Sequence, residues 1–497
     1  MNGVNVLDRL NVLEDLVKLH PGFVVPEPET LVANTDAPSI AVDNNGTLHI
    51  NASGRILING ADLAERFTLL EALAQLHPDL PPPPPNEHQS NVTEPSISIG
   101  DNNYLLIDAT NGILINGVDA LERLQVVKSL VQLHLESLVP QFERRAISTT
   151  ADGASVVLAV DLDNDGNVDV LGASIEDSTI AWFRNSGNGS SFQRNVITAS
   201  AVDIASVHAA DLDGDGDSDV LSASFIDDRI TWYRNNGNGT FDDHVTITNA
   251  ATEARSVYAA DLDNDGDLDV LSAAYGIDTI AWYRNDGTFS GPIVITNAAN
   301  GAFCVHAADL DNDGDMDVLS ANSVGNTITW YRNDGTGVFP QTLFVASSVD
   351  SPRSVYAADL NQDGFLDVIS ANSGDNSIAW YQNQGGTGFS APHVITTTAS
   401  YALAVYAADL DQDGDMDVLS ASVVDNKIAW YRNNGQGSFS SPFVISTSAL
   451  YAYSVYAADL DHDGDLDVLS ASNSDNTIAW YASNSQQNDR LRDSIRT

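Results

Sequence analysis

The sequence predicts a mainly β chain, a seven-bladed β-propeller with acidic loops, preceded by a smaller α+β repeat region. Three observations carry this. A D-x-[DN]-x-D-G-x-x-D segment recurs seven times, beginning at Asp161, Asp211, Asp261, Asp309, Asp359, Asp409 and Asp459, in steps of 50 residues with one step of 48. Four short β-rich runs parted by Gly, Asn and Asp accompany each copy, the pattern of a propeller blade. Residues 1–140 repeat with a different period, 57 residues, and mix strand-like with helical patterning.

The acidic segments have the spacing of a cation cage. In the first, Asp161, Asp163 and Asp165 stand at positions 1, 3 and 5, Gly166 permits a sharp turn, Asn167 offers a backbone carbonyl at position 7 and Asp169 closes the set at position 9. Hard oxygen ligands so spaced suit Ca²⁺, and up to seven ions are expected. The same positions are filled by Asp211, Asp213, Asp215, Asp217 and Asp219, by Asp261, Asp263, Asp265, Asp267 and Asp269, and by Asp309, Asp311, Asp313, Asp315 and Asp317. Next come Asp359, Asn361, Asp363, Phe365 and Asp367, then Asp409, Asp411, Asp413, Asp415 and Asp417, then Asp459, Asp461, Asp463, Asp465 and Asp467. In the fifth set Asn361 still donates an oxygen and Phe365 would act through its carbonyl, so weaker binding is expected there. These are not EF-hands, because position 12 is Gly172 or Ser222 instead of Glu and the flanks are strand-like.

Each cage bridges the first two strands of a unit. In the third unit the strands are Ser256-Val-Tyr-Ala-Ala260, Leu268-Asp-Val-Leu-Ser272, Thr279-Ile-Ala-Trp-Tyr283 and Pro292-Ile-Val-Ile-Thr296. Closure of the ring is also legible. Residues 142–149 resemble the fourth strand of the first unit, 192–199, yet precede any first strand, while the seventh unit stops after its third strand. A propeller over 141–482, clasped by strand 142–149 in the last blade, follows, with 483–497 as a polar tail.

These repeats resemble the FG-GAP/VCBS class, whose calcium-loop blades occur in integrin α-subunit propellers and in many secreted microbial proteins. The resemblance covers about 141–482 and implies a calcium-stabilised propeller outside the cytoplasm, used for adhesion, ligand binding or scaffolding. It fixes no ligand.

Composition bounds the partners. The formal charge is −48, and cage positions 1, 3, 5 and 9 supply 27 Asp, four per unit giving 28 with one replaced by Asn361. Seven Ca²⁺ would bring the charge to −48 + 14 = −34. That acidity repels nucleic acid and anionic membrane. No apolar run is long enough to span a bilayer, and the first twenty residues, with Asp8, Glu14 and Asp15, do not read as a signal peptide. An extracellular or virion or cell-surface location is expected, since such calcium sites fill most readily outside the cytosol. The single Cys304 replaces a Ser of the neighbouring units and reads as a small buried thiol.

Before the propeller, Asn2-Gly3, Asn59-Gly60 and Asn116-Gly117 open three helical stretches ending near His20, His77 and His134, with leucine-rich faces at spacings of three and four. Two follow paired β runs, 39–42 with 54–58 and 96–99 with 112–115, which gives repeats at 37–80 and 94–139 and a truncated helical one at 1–22. The truncated repeat either caps the others or is completed by a neighbouring chain. Proline-rich spacers at 25–28 and 81–85 separate the units. Self-assembly through residues 1–140 is therefore expected, as in a fibre subunit that displays its propeller.

Other features have core readings beside functional ones. Trp182, Trp232, Trp282, Trp330, Trp380, Trp430 and Trp480 share one blade position, which suits interblade packing or, alternatively, sugar platforms. Leu158, His208, Tyr258, His306, Tyr356, Tyr406 and Tyr456 share a first-strand position and could ring the central channel. The three helix-end His suit the helix dipole, and sequons occur at Asn45, Asn51, Asn91, Asn188 and Asn238. No catalytic motif is present, so a non-enzymatic structural or adhesion protein is expected, with a glycan or surface-protein ligand as partner. A lectin-like propeller is the alternative, and a polysaccharide-active enzyme the third reading.

Overall fold

The computed structural model describes residues 142–242 and 244–483, together with the backbone of eight short strands between residues 39 and 119. The expected N-terminal helices, the proline spacers and the tail from 484 lie outside the described residues. Ser39–Val42 pairs with Leu48–Asn51, and Ser96–Ile99 with Leu105–Asp108. The partners expected from sequence, 54–58 and 112–115, are thus displaced by nearer runs. In the sequence, 43–47 and 100–104 are dense in turn-forming residues, which suits the nearer pairing. Ile113–Ile115 instead runs parallel to Leu48–Ile50 and pairs antiparallel with Val118–Asp119.

Seven four-stranded antiparallel sheets form the propeller. The first is Ala154–Val160, Asp169–Ser174, Thr179–Asn185 and Phe192–Thr198, from channel to rim. The second strand of each blade is buried at every residue. Both of its faces are covered by neighbouring blades, so its sequence is an unbroken small or apolar run after the Asp, without strand alternation. The rim strands have mostly exposed or half-exposed residues. In the seventh blade, Ala452–Ala458, Asp467–Ser472 and Thr477–Ser483 are completed by Phe142–Ser148, with Trp480 opposite Arg145 and Ser483 opposite Phe142. Both chain ends of the propeller share one sheet, so the ring is closed by a ladder and no inner strand is left as a free edge.

Cores lie between blades. Leu360, Ile378 and Trp380 of the fifth blade pack with Val405, Val418 and Tyr431 of the sixth. The closing seam has the same composition, Leu460, Ile478 and Trp480 meeting Val157, Val170 and Phe183. Six of the seven indoles are buried in this way and only Trp232 is partly open, so they are core and present no platform to a sugar. On Trp182, Trp282, Trp380 and Trp480 a glycine of the following blade sits on the indole. A Cβ on Gly437 (φ +69°) would lie 2.2 Å from Trp380, and one on Gly239 (φ +71°) 2.2 Å from Trp182, whose Nε1 donates to the Gly239 carbonyl at 3.2 Å. Only glycine satisfies both the left-handed backbone and that approach.

At the axis, His208, Tyr258, His306, Tyr356, Tyr406 and Tyr456 form a continuous aromatic collar, with successive ring centroids 4.4, 4.9, 4.9, 5.0 and 4.6 Å apart. Leu158 holds the equivalent place in the first blade. Cys304 is half-buried beside Val355 of the next blade, its thiol pushed up by burial and weakly bonded to carbonyls. Among the described residues no helix is long and apolar enough to cross a membrane.

Candidate metal centre

The Asp loops join the first strand of each blade to the second, all on one face of the disc. Their shape follows from local hydrogen bonds. In the first blade the Gly166 N–H donates to Asp161 Oδ2 at 2.9 Å and the Asn167 N–H to Asp165 Oδ1 at 2.9 Å. Gly166 has φ +86° and Asn164 φ +54°, and the equivalent Gly266, Gly314, Gly364, Gly414 and Gly464 repeat the turn at φ near +90°. The turn aims several carboxylates inward.

Carboxylate oxygens of Asp161, Asp163 and Asp169 lie within 4.8 Å of one another, as do those of Asp211, Asp213 and Asp219 and of Asp409, Asp411 and Asp417. In the third and fourth loops the clustered set is positions 1, 3 and 5, Asp261, Asp263 and Asp265, and Asp309, Asp311 and Asp313. In the fifth, Asp359 Oδ1 and Asn361 Oδ1 both accept the Asp363 N–H, at 3.2 and 3.0 Å, so the neutral Asn turns its oxygen into the loop.

Several inward oxygens are buried without a hydrogen-bond donor. They include Oδ1 of Asp161 and Asp163, of Asp261 and Asp263, of Asp311, of Asp411, and of Asp459 and Asp461. A buried carboxylate oxygen that faces other carboxylates and has no donor is costly unless a cation meets it. The donor set, all oxygen and mostly anionic, fits a hard divalent ion.

Position 9 has a second task. Asp169 is fully buried, and its oxygens accept the Asn185 N–H at 2.8 Å and the Leu162 N–H at 3.2 Å. The Asn185 side chain donates onward to the carbonyls of Val168 and, in the preceding blade, Leu460, at 2.9 and 2.6 Å. The same latch is built on Asp219, Asp269, Asp317, Asp367 and Asp417 with Asn235, Asn285, Asn333, Asn383 and Asn433. At Asp467 the Ser483 N–H takes the place of the Asn. Burial first, and then neighbouring carboxylates, push Asp169, Asp269 and Asp367 up to about 7, although backbone donors oppose the shift. Asp417 reaches about 8.

Position 7 works sideways. Its N–H caps the position 5 carboxylate, as with Asp267 on Asp265 at 3.1 Å and Phe365 on Asp363 at 3.0 Å. Its side chain receives the position 4 residue of the preceding blade. The Asn164 amide donates to Asp217, Asn264 to Asp315 at 2.6 Å, Gln362 to Asp415 at 2.6 Å and Gln412 to Asp465 at 3.0 Å. Where position 7 is Phe365, Asn312 bonds the Gly364 carbonyl at 2.8 Å instead. Five neighbouring pairs of loops are tied in this way, whereas Gly214 has no side chain with which the second loop could reach the third.

Arginine is the participant that loop spacing alone does not reveal. Arg184, at the end of the third strand, pairs with Asp163 at 2.5 Å and Asp165 at 2.9 Å. Arg234 pairs with Asp213 and Asp215, Arg284 with Asp263 and Asp265, Arg332 with Asp311 and Asp313, and Arg432 with Asp411 and Asp413. Gln382 takes this place in the fifth blade, 3.4 Å from Asp363, and Ala482 in the seventh. The signal was present as a recurring W-[YF]-R-N at the end of strand three. Its charges balance: four Asp at positions 1, 3, 5 and 9 and one Arg sum to −3 in five blades. Three Asp, Asn361 and no Arg also sum to −3 in the fifth, whereas the seventh, with four Asp and no Arg, stands at −4.

Fold and loops together define a seven-bladed propeller with an acidic, cation-sized loop between the first two strands of every blade. The chain belongs to the FG-GAP-like repeat family, whose description matches residues 161–222, 211–272, 261–320, 309–370, 359–420 and 419–470. No curated protein sequence matches it. Similar solved structures include a catalytically inactive virginiamycin B lyase from Staphylococcus aureus with quinupristin, at 12% identity, TM-score 0.50, covering 69% of this chain and 99% of that one. An Agrocybe aegerita lectin that recognises non-reducing terminal N-acetylglucosamine is similar at 19% identity, TM-score 0.44, over 59% of this chain and 81% of its own. At these identities the likeness concerns the propeller fold.

Proposed function

We propose that each loop holds one Ca²⁺ and that the calcium-pinned propeller is the display and binding head of a non-enzymatic structural or adhesion protein outside the cell or on a virion. The observation that carries the metal reading is the set of donorless, buried carboxylate oxygens facing one another at positions 1 and 3. Asp161, Asp163, Asp165 and Asp169, and their equivalents in the other blades, would hold the ion, which would neutralise charge that the loop cannot otherwise tolerate. The loop carboxylates are already engaged with backbone N–H groups, Arg and each other, which favours a structural over a catalytic role. Assembly through residues 1–140 completes the proposal, on the strength of their internal repeat.

Elemental analysis of the purified full chain, dialysed against micromolar calcium, tests the metal reading. About seven Ca²⁺ per chain is expected from seven loops, and a metal-free protein would sink it. Electron microscopy beside a chain lacking residues 1–58 tests assembly: filaments or rings are expected from the intact chain alone, and identical isolated discs in both samples would count against it.

A further inference from the structure

The face opposite the Asp loops carries a different chemistry. First strands begin there, and the hairpins between second and third strands turn there. At its axial mouth the guanidinium of Arg255 lies over the Phe225 ring, 3.8 Å from its centroid, and 5.2 Å from the centroid of Phe303. Arg353 lies 4.6 Å from the same Phe303 ring and 5.7 Å from that of Tyr401, whose hydroxyl it meets at 3.4 Å. Two cations thus share one aromatic ring in a chain of formal charge −48. Burial, and behind it the Arg353 charge, holds the Arg255 guanidinium below its ordinary range, while Asp203 and Glu253 oppose the shift.

Arg255 is incompletely satisfied. Its Nε is buried without a hydrogen-bond partner, and among the described residues it forms no ion pair and no hydrogen bond, although Asp203 and Glu253 are near enough to be felt. Arg255, Phe303, Arg353 and Tyr453 share a strand position, the one where each first strand slips register against the second, so the side chain there is released from the ladder. Tyr453 of the seventh blade senses the charges of Arg255 and Asp203, from the third and second blades, so the group converges from across the ring. The surrounding hairpin tips set open apolar side chains, Ile226 at 64% and Val424 at 65% exposed, beside acidic ones, among them Asp227, Asp228 and Asp425.

We infer that this mouth is a binding site for a carboxylate-bearing saccharide, its anionic group held between Arg255 and Arg353 and its ring laid on Phe303 and Tyr453. A guanidinium that has a buried, unpartnered Nε and no acceptor elsewhere, beside a second cation, calls for an anion. Aromatic walls offer flat apolar faces to the C–H side of a pyranose ring, where a bare ion would gain nothing from them. Extended polyanions are refused by the net charge of the whole chain, so the anionic unit is small or terminal. The site does not depend on metal in the loops.

The test is calorimetric titration of the calcium-loaded full chain with cellobiouronic acid, with cellobiose, and with sodium sulfate, at one fixed free calcium concentration. Expected is binding of the uronic disaccharide alone, weakened at least tenfold in Arg255→Gln and in Arg353→Gln, with melting temperatures of both variants close to the parent. Two variants are used so that misfolding of one leaves the other informative. Equal binding of cellobiose, equal binding of sulfate, retention of affinity in both variants, or no uptake of cellobiouronic acid at millimolar concentration would each overturn the assignment.

Discussion

At the residue scale, the loops are governed by how many negative charges they gather and what offsets them. Six blades reach −3 by two routes, an Arg beside four Asp or an Asn361 in place of Asp, and the seventh remains at −4 because Ala482 occupies the Arg position. The seventh loop should therefore hold Ca²⁺ most tightly. Ala482→Arg should weaken that one site several-fold, and Arg432→Gln should tighten the sixth, both readable in competition titrations with a calibrated chelator; unchanged isotherms would show that the guanidinium is only a surface ion pair. The collar makes a second residue-scale prediction. Burial lowers His208 and His306 to about 4 from an ordinary 6.5, so the unfolded chain binds more protons between those values. Their contribution is full above pH 6.5 and is lost as pH falls toward 4. In saturating calcium, the parent should lose stability across that window faster than a His208→Phe, His306→Phe variant, and parallel melting curves against pH would contradict this.

At this scale the Asp positions were plain in the sequence, because all the residues of a loop lie within nine positions and their order alone states the chemistry. The Arg and Asn partners were not. Arg184 and Asn185 meet Asp165 and Asp169 only after the chain has run along two strands, so their role depends on pairing that local spacing does not express. The unpaired Arg255 was equally hidden, since its neighbours come from several blades.

At the scale of the element, blades are held by side-to-side interlock. Four indoles are roofed by a left-handed glycine of the next blade, and the Asn latch ties six of the seven third strands to the preceding loop. Gly437→Ala should cost about 2 kcal/mol or more, from the left-handed backbone and from the clash with Trp380 together. Urea unfolding in excess calcium measures it, and a loss below about 0.5 kcal/mol would mean that the loop simply moves aside. Blade strands were legible because burial on both faces leaves the Asp-Val-Leu-Ser-Ala run unmistakable. In the N-terminal hairpins apolarity points one strand too far: Leu48–Asn51 and Leu105–Asp108 are short and carry polar residues, so the more apolar runs beyond them outweigh them in the sequence.

At the scale of the molecule, two things close the ring. One is the ladder between Thr477–Ser483 and Phe142–Ser148, which joins the two ends of the propeller within one sheet. Its counterpart in the sequence is the likeness of 142–149 to 192–199, visible only because the repeat is regular enough for a misplaced strand to stand out. The other, on the present account, is calcium. Without it the loops of one face crowd carboxylates whose mutual repulsion strains every first hairpin, and the chain carries its full −48. A site occupied at a hundred times its dissociation constant adds about 2.7 kcal/mol, and several such sites act on one cooperative ring.

Calorimetric melting of the full chain in millimolar calcium, beside a sample exhaustively chelated and returned to the same ionic strength, is the most direct test. Chelation should lower the propeller transition by about 10 °C or more, and added Ca²⁺ should restore it. Coincident transitions in the two samples would show that the loops need no ion and that the propeller is not pinned by calcium.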